Sequence, residues 1–283
     1  MLPASRVGGA LVAIEFPEAL KISNQMEKVL LGRTIEKVVI SDPGASVFKW
    51  GFVNLHKVDI SSQRVEKVTQ YGDYIYLHMS ELNLMFGDMI GKILYHEQDK
   101  GIPEKARVAF FLDDGAAFSY NPSLYGYCAA MTDKQMSESK ASRGKSPLDP
   151  SLDTDYMIRL FAEDRRRIAK QMNVYGTKYR VAGVGNAYWH DILYLSGVHP
   201  QRKTSEITWQ DAEKLLRNTV EVMKKAIGEG GRTEETDFFG QTGNYKRLLS
   251  KDNKEKPCSK CGTEIQVKNL LGSSSYYCNG CQK

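Results

Sequence analysis

The amino-acid sequence predicts an α+β protein of two domains: an N-terminal β-sandwich with a leading helix, and a C-terminal helical domain ending in a four-cysteine β-hairpin. Three observations carry that reading. Apolar residues alternate in short stretches from about residue 36 to 128, they recur at helical spacing after Asp155, and four of the five cysteines follow Pro257.

The leading helix is read from "ALKISNQMEKVLLGRTIEKVV", where Leu20, Ile22, Met26, Val29 and Leu30 fall on one face. Gly32 stops that helix and a strand follows. The sandwich strands include "YIYLHM", "KILYH", "RVAFFL" and "AAFSYN", separated by Gly, Asp and Asn turns. "TDKQMSESKASRGKSPLDPSLD" is polar, charged and proline-bearing, as an interdomain linker is. Beyond it "MIRLFAEDRRRIAKQMN" and "TWQDAEKLLRNTVEVMKKAIGEGG" are amphipathic helices, the second opened by Thr208 as N-cap and closed by glycines. The resulting division is a leader at 1–13, a sandwich at 14–130, a linker at 131–153, a helical domain at 154–250 and a metal hairpin at 251–283. The leader lacks the apolar length of a signal peptide.

Cys258-x-x-Cys261 and Cys278-x-x-Cys281 are separated by 16 residues, the pattern of a four-cysteine zinc site. Each pair places two thiolates on one side of a tight turn, and two pairs complete a tetrahedron. A closed set of four protein ligands gives one structural zinc per chain rather than a catalytic one. The alternative is two disulfides or a redox dithiol. A chain with Cys128 left over and no secretory signal fits a reducing, cytoplasmic compartment better. Between the pairs, "GTEIQVKNLLGSSSYY" reads as a hairpin whose tip, around Leu271-Gly272-Ser273-Ser274, points away from the metal.

The net charge of +5 permits a polyanionic partner without requiring one. No apolar run reaches the length of a membrane span, so a soluble protein is expected, with no membrane partner. The five histidines show no metal-ligand spacing, and no phosphate-loop or dinucleotide fingerprint is present. In "VAGVGNAYWHDILYLSGVHP", Gly183 and Gly185 bracket a turn that opens a helix at Asn186. Such a turn exposes backbone N–H groups and the positive end of a helix dipole to an anion. An ordinary helix hairpin with an Asn cap reads the same way.

Taken together, "GVGNAYWHDILYLSGVHP", "PCSKCGTEI…YYCNGCQ" and "IEFPEAL" resemble the helix-two-turn-helix, zinc finger and N-terminal segment of the formamidopyrimidine-DNA glycosylase and endonuclease VIII family, from about Ile14 to the C-terminus. The resemblance implies base excision repair: double-stranded DNA held between the two domains, a damaged nucleotide flipped out, and attack on C1′ by an N-terminal proline amine. It implies a monomer that is cytoplasmic and nucleoid-associated when on DNA.

Carried over by position, the resemblance places Ile14 where the nucleophilic proline belongs. Asp73 takes the place of a phosphate-binding lysine, which substitutes repulsion for attraction. Ser273 takes the place of an arginine at the hairpin tip, leaving hydroxyl and backbone donors and no fixed cation. In "NPSLYG", Ser123 and Leu124 replace two arginines while Tyr125 keeps the aromatic. Glu15 matches the acid beside the nucleophile, Met89 the wedge that fills the hole of a flipped base, and Asn186, with Gly185 before it, the phosphate contact. Each also has a plain structural role open to it: Glu15 at a helix start, Met89 as core filler. The resulting expectation is a protein that binds damaged or abasic duplex DNA with glycosylase/lyase chemistry weak or lost. The alternatives are an active DNA glycosylase/AP lyase working through an N-terminal amine, and a scaffold that has lost DNA.

Overall fold

The computed structural model describes residues 13–41, 53–88, 91–98, 101–102, 106–122, 126–141, 143–162, 167–170 and 180–283. Helix α1 (Phe16–Leu30) begins at Glu15, with Pro17 in its first turn where the missing N–H is no loss. Eight strands follow: β1 (Thr34–Ile40), β2 (Gln63–Tyr71), β3 (Tyr74–Met79), β4 (Asn83–Gly87), β5 (Gly91–His96), β6 (Val108–Leu112), β7 (Ala117–Pro122) and β8 (Tyr127–Met131). They are hydrogen-bonded in the order β5-β7-β6-β1-β2-β3-β4-β8, and every strand pair is antiparallel.

β1 and β2 share only the pairs Thr34↔Arg64 and Ile35↔Gln63. The ribbon folds over at this short junction into two layers. Phe86 on β4 meets Phe110, Phe118 and Tyr120 of the opposite layer, with ring centroids 5.6 to 6.4 Å apart. This aromatic contact, together with Ile35, Ile75, Leu77 and Val108, forms a dry core between the layers. The sandwich is the one the alternating pattern predicts.

α1 serves two cores at once. Ala19, Ile22, Met26 and Leu30 lie in the sandwich core, and Phe16 lies in the helical one. The predicted linker is more ordered than its composition suggests, because it contains helix α2 (Asp133–Ala141). Met136 of that helix packs with Tyr76 and Met85, so one apolar residue in a polar stretch is enough to seat it.

The helical domain holds α3 (Thr154–Ala162), α4 (Asn186–Ser196) and α5 (Trp209–Gly228). Thr208 caps α5 by accepting from Asp211 N, as its sequence predicts. Gly197 ends α4 at φ 72°, a left-handed position that glycine adopts without strain. Strands β9 (Gln266–Leu270) and β10 (Ser273–Tyr277) form the closing hairpin, with Leu271 and Gly272 at its tip. No helix among the described residues is long and apolar enough to cross a membrane.

Candidate functional site

The two domains meet where the start of α1 touches the turn before α4. Phe16 N donates to Gly183 O at 2.8 Å. Gly183 has φ +75°, and a Cβ there would lie 2.4 Å from Gly72 C and 2.6 Å from Asp73 N. Only glycine lets the β2–β3 turn lie directly on the turn that opens α4.

Glu15 is buried at this junction. Its carboxylate accepts from Gly185 N at 2.7 Å and Ala187 N at 2.9 Å, with Tyr188 N at 3.5 Å. The start of α4 is thus an anion site, as its glycines suggest, but the anion is a carboxylate of this same chain. The amide of Gly185, the residue expected beside the Asn186 phosphate contact, donates to Glu15 here. Burial raises the Glu15 pKa, while the Arg232 guanidinium opposes the rise.

Arg232 has no exposed surface. It donates from Nε to Glu18 Oε1 at 3.1 Å, from Nη2 to Glu18 Oε2 at 3.2 Å, and from Nη2 to Ala13 O at 2.7 Å. Its Nη1 lies 3.7 Å from Glu15 Oε1. Glu18 also accepts from Tyr188 Oη at 2.6 Å and from Glu15 N at 3.1 Å. Burial disfavours the guanidinium charge, but Glu18 and Glu15 raise its pKa above the ordinary value. Neither Arg232 nor this cluster is visible in the sequence pattern.

Ile14 is 1% exposed and packs into the sandwich core. Its nitrogen lies in the peptide bond to Ala13, the residue whose carbonyl Arg232 grips. Asp73 is half-buried in the β2–β3 turn. Burial and the neighbouring Asp88 push its pKa up to about 7, with Arg143 and Arg180 pulling the other way. The repulsion expected of this carboxyl is therefore conditional on pH.

Asn186 begins α4, and its Nδ2 donates to Ser273 Oγ at 3.4 Å. The helix start and the hairpin tip, both singled out from the sequence, come together here. Beneath them lies Lys170, 2% exposed, which the sequence did not single out. Its Nζ donates at 2.8 Å to Leu270 O, Ser273 O and Ser273 Oγ. Burial brings its pKa down to about 8. The sequence gives the tip no cation of its own; the Lys170 ammonium reaches its oxygens from a distant part of the chain.

Four cysteine sulfurs, from Cys258, Cys261, Cys278 and Cys281, lie within 4.8 Å of one another and could hold a metal ion. None is disulfide-bonded. Cys258 and Cys281 are 3.7 Å apart and Cys261 and Cys278 3.4 Å, against about 3.8 Å between sulfurs of a tetrahedron with ~2.3 Å zinc–sulfur bonds. The hairpin is anchored to the helical domain by Tyr194 Oη, 3.0 Å from Cys258 Sγ, and by Gln282 Nε2, which donates to Val198 O at 2.9 Å. Met89, Ser123, Leu124 and Tyr125 lie outside the described residues.

Comparison with known proteins agrees with this architecture. Residues 14–123 match the formamidopyrimidine-DNA glycosylase N-terminal domain and residues 144–237 the formamidopyrimidine-DNA glycosylase H2TH domain. The chain belongs to the formamidopyrimidine-DNA glycosylase family. It is similar to the formamidopyrimidine-DNA glycosylase of Desulforamulus reducens, 29% identical over 283 residues that cover 95% of this chain and 99% of that one. It is 26% identical to that of Bacillus cereus, covering 95% and 98% of the two chains. Among solved structures, the fold matches the complex between the Lactococcus lactis Fpg and an abasic site containing DNA, with a TM-score of 0.81, 21% identity and coverage of 95% and 99%. It matches the MutM (Fpg) protein from Thermus thermophilus with a TM-score of 0.80, 21% identity and coverage of 95% and 98%.

Proposed function

We propose that this protein binds damaged or abasic duplex DNA and that its glycosylase/lyase chemistry is weak or lost. Family membership supports DNA as the partner, as does the fold it shares with the Lactococcus lactis Fpg solved on abasic DNA. The observation that carries the loss of chemistry is the state of Ile14 and Glu15. A Schiff base with the sugar needs a free, unprotonated amine. The Ile14 nitrogen is an amide, its side chain is buried, and Glu15 is engaged by α4 and Arg232. A carboxylate held by two amides and a guanidinium has little freedom to accept or deliver a proton.

The metal in this reading is one structural zinc held by Cys258, Cys261, Cys278 and Cys281, which fixes the hairpin against α4. When bound, it supplies folding energy and no reaction step. Asn186 is the phosphate contact at the helix start, Met89 is the wedge that fills the space of an extruded base, and Tyr125 keeps the aromatic of its segment as a DNA contact. A working DNA glycosylase/AP lyase is the second reading, favoured by the retained Glu15 beside the first residue of the family match.

Fluorescence anisotropy at moderate salt tests the binding claim. An abasic duplex is expected to bind more tightly than an intact one, since no base must be unstacked. Asn186→Ala weakens both about tenfold, because a phosphate contact carries no sequence information. Absence of duplex binding would leave only a scaffold role.

A further inference from the structure

Asn186, His190 and Tyr194 follow one another at four-residue steps on α4 and so share a face. That face runs along the closing hairpin from tip to metal. Asn186 Nδ2 donates to Ser273 Oγ at 3.4 Å, His190 meets Tyr276 edge to face with ring centroids 5.9 Å apart, and Tyr194 Oη lies 3.0 Å from Cys258 Sγ. Tyr194 is 4% exposed, so its hydroxyl has to find a partner inside the protein.

The chemistry of the ligand set fixes the direction of that last contact. A cysteine binds zinc as a thiolate, which has no hydrogen to give. The phenol therefore donates and the sulfur accepts. Lys260 N donates to the same sulfur at 3.4 Å. Four thiolates carry more negative charge than one zinc ion cancels, and donors to sulfur spread the excess. Thr263 serves Cys261 in this way, and the Gly280 amide serves Cys278. Of the donors to these sulfurs among the described residues, Tyr194 is the one that lies outside the hairpin. Lys260 Nζ also stands 4.7 Å from the centre of the Tyr194 ring. A cation over the ring draws electron density from the phenol and makes its O–H a better donor.

We propose that Tyr194 is a positioning residue of the metal centre, whose hydroxyl donates to the Cys258 thiolate and tightens the hold on zinc. One side chain then joins the first cysteine turn to the helix that begins at Asn186. The bond rests on the reading of the four cysteines as a zinc site and is independent of whether DNA is cut.

Tyr194→Phe removes the oxygen and leaves the ring. In competition with the chromophoric chelator pyridylazoresorcinol, the variant is expected to hold zinc about tenfold more weakly, the smaller end of the loss seen when a partner of a metal ligand is removed. Cobalt(II) in place of zinc provides a readout that packing alone does not move. The thiolate-to-cobalt charge-transfer band lies lower in energy when the sulfur loses a hydrogen bond, so it shifts to longer wavelength in Tyr194→Phe. Meta-fluorotyrosine in place of Tyr194, a stronger donor of nearly the same shape, shifts the band to shorter wavelength, and this arm stands even where Tyr194→Phe fails to fold. Equal zinc affinity, or a band that stays in place in the variants, overturns the proposal and leaves Tyr194 as a packing residue. An unchanged chain that binds no zinc overturns the zinc reading and this bond with it.

Discussion

A guanidinium without access to water has to be neutralised in place, and Arg232 meets this demand with Glu18 and Glu15. Removing one partner of such a buried set typically costs about 3–5 kcal/mol, because the remaining charge is left uncompensated. The cluster is thus a strong constraint on the pose of Glu15. Asp73 offers the sharper residue-scale test. Its pKa is raised to about 7 by burial and by Asp88, against the pull of Arg143 and Arg180. Below that pH the carboxyl is neutral and tolerates a phosphate. Above it the group is an anion and repels one. Duplex affinity should therefore fall as pH rises from 6 to 8, by at most about tenfold per pH unit for one linked proton. Asp73→Asn should bind at pH 8 as the unchanged chain does at pH 6, with a flatter profile. Equal slopes for the two proteins would remove Asp73 from the interface.

At the scale of elements, the metal hairpin and α4 behave as one unit. Asp191 of α4 accepts from Leu248 N and Leu249 N at 2.9 Å, which fastens the approach to the hairpin, and Lys170 fastens its tip. We expect purified protein to carry one zinc per chain. Cys258→Ser should release it and expose residues 256–283 to protease, since structural zinc provides much of such a module's folding energy. Metal analysis with limited proteolysis checks this, and a metal-free chain with a resistant tail would contradict it. Much of this unit was legible in advance. The cysteine spacing and the Gly183-x-Gly185-Asn186 turn are local signals, because their geometry is set within a few residues. Lys170 and Arg232 were not legible, because their partners lie about 100 and 214 positions away in the chain. A lone Lys or Arg in a polar stretch looks like a solvated surface residue until folding removes the water. Glu15 was legible as a matched position, but its use as the anion at the start of a helix 170 residues away was not.

On the scale of the whole molecule, the fold is that of the formamidopyrimidine-DNA glycosylase family. The sandwich core, α4 and the cysteine hairpin keep the family's frame. Ile14 is buried, Glu15 is locked, and the cation at the hairpin tip is supplied from Lys170. On the proposed reading, these features leave no nucleophile at position 14 while keeping surfaces that hold a duplex. Borohydride trapping on an abasic duplex probes that combination, with anisotropy on the same samples to establish that DNA is bound. A Schiff base that forms is reduced to a permanent protein–DNA adduct, so even a small amount accumulates. The 283-residue chain is expected to bind the abasic duplex and to yield little or no adduct. Efficient trapping, abolished by Glu15→Gln, would overturn this reading and identify a working lyase with an amine nucleophile other than Ile14.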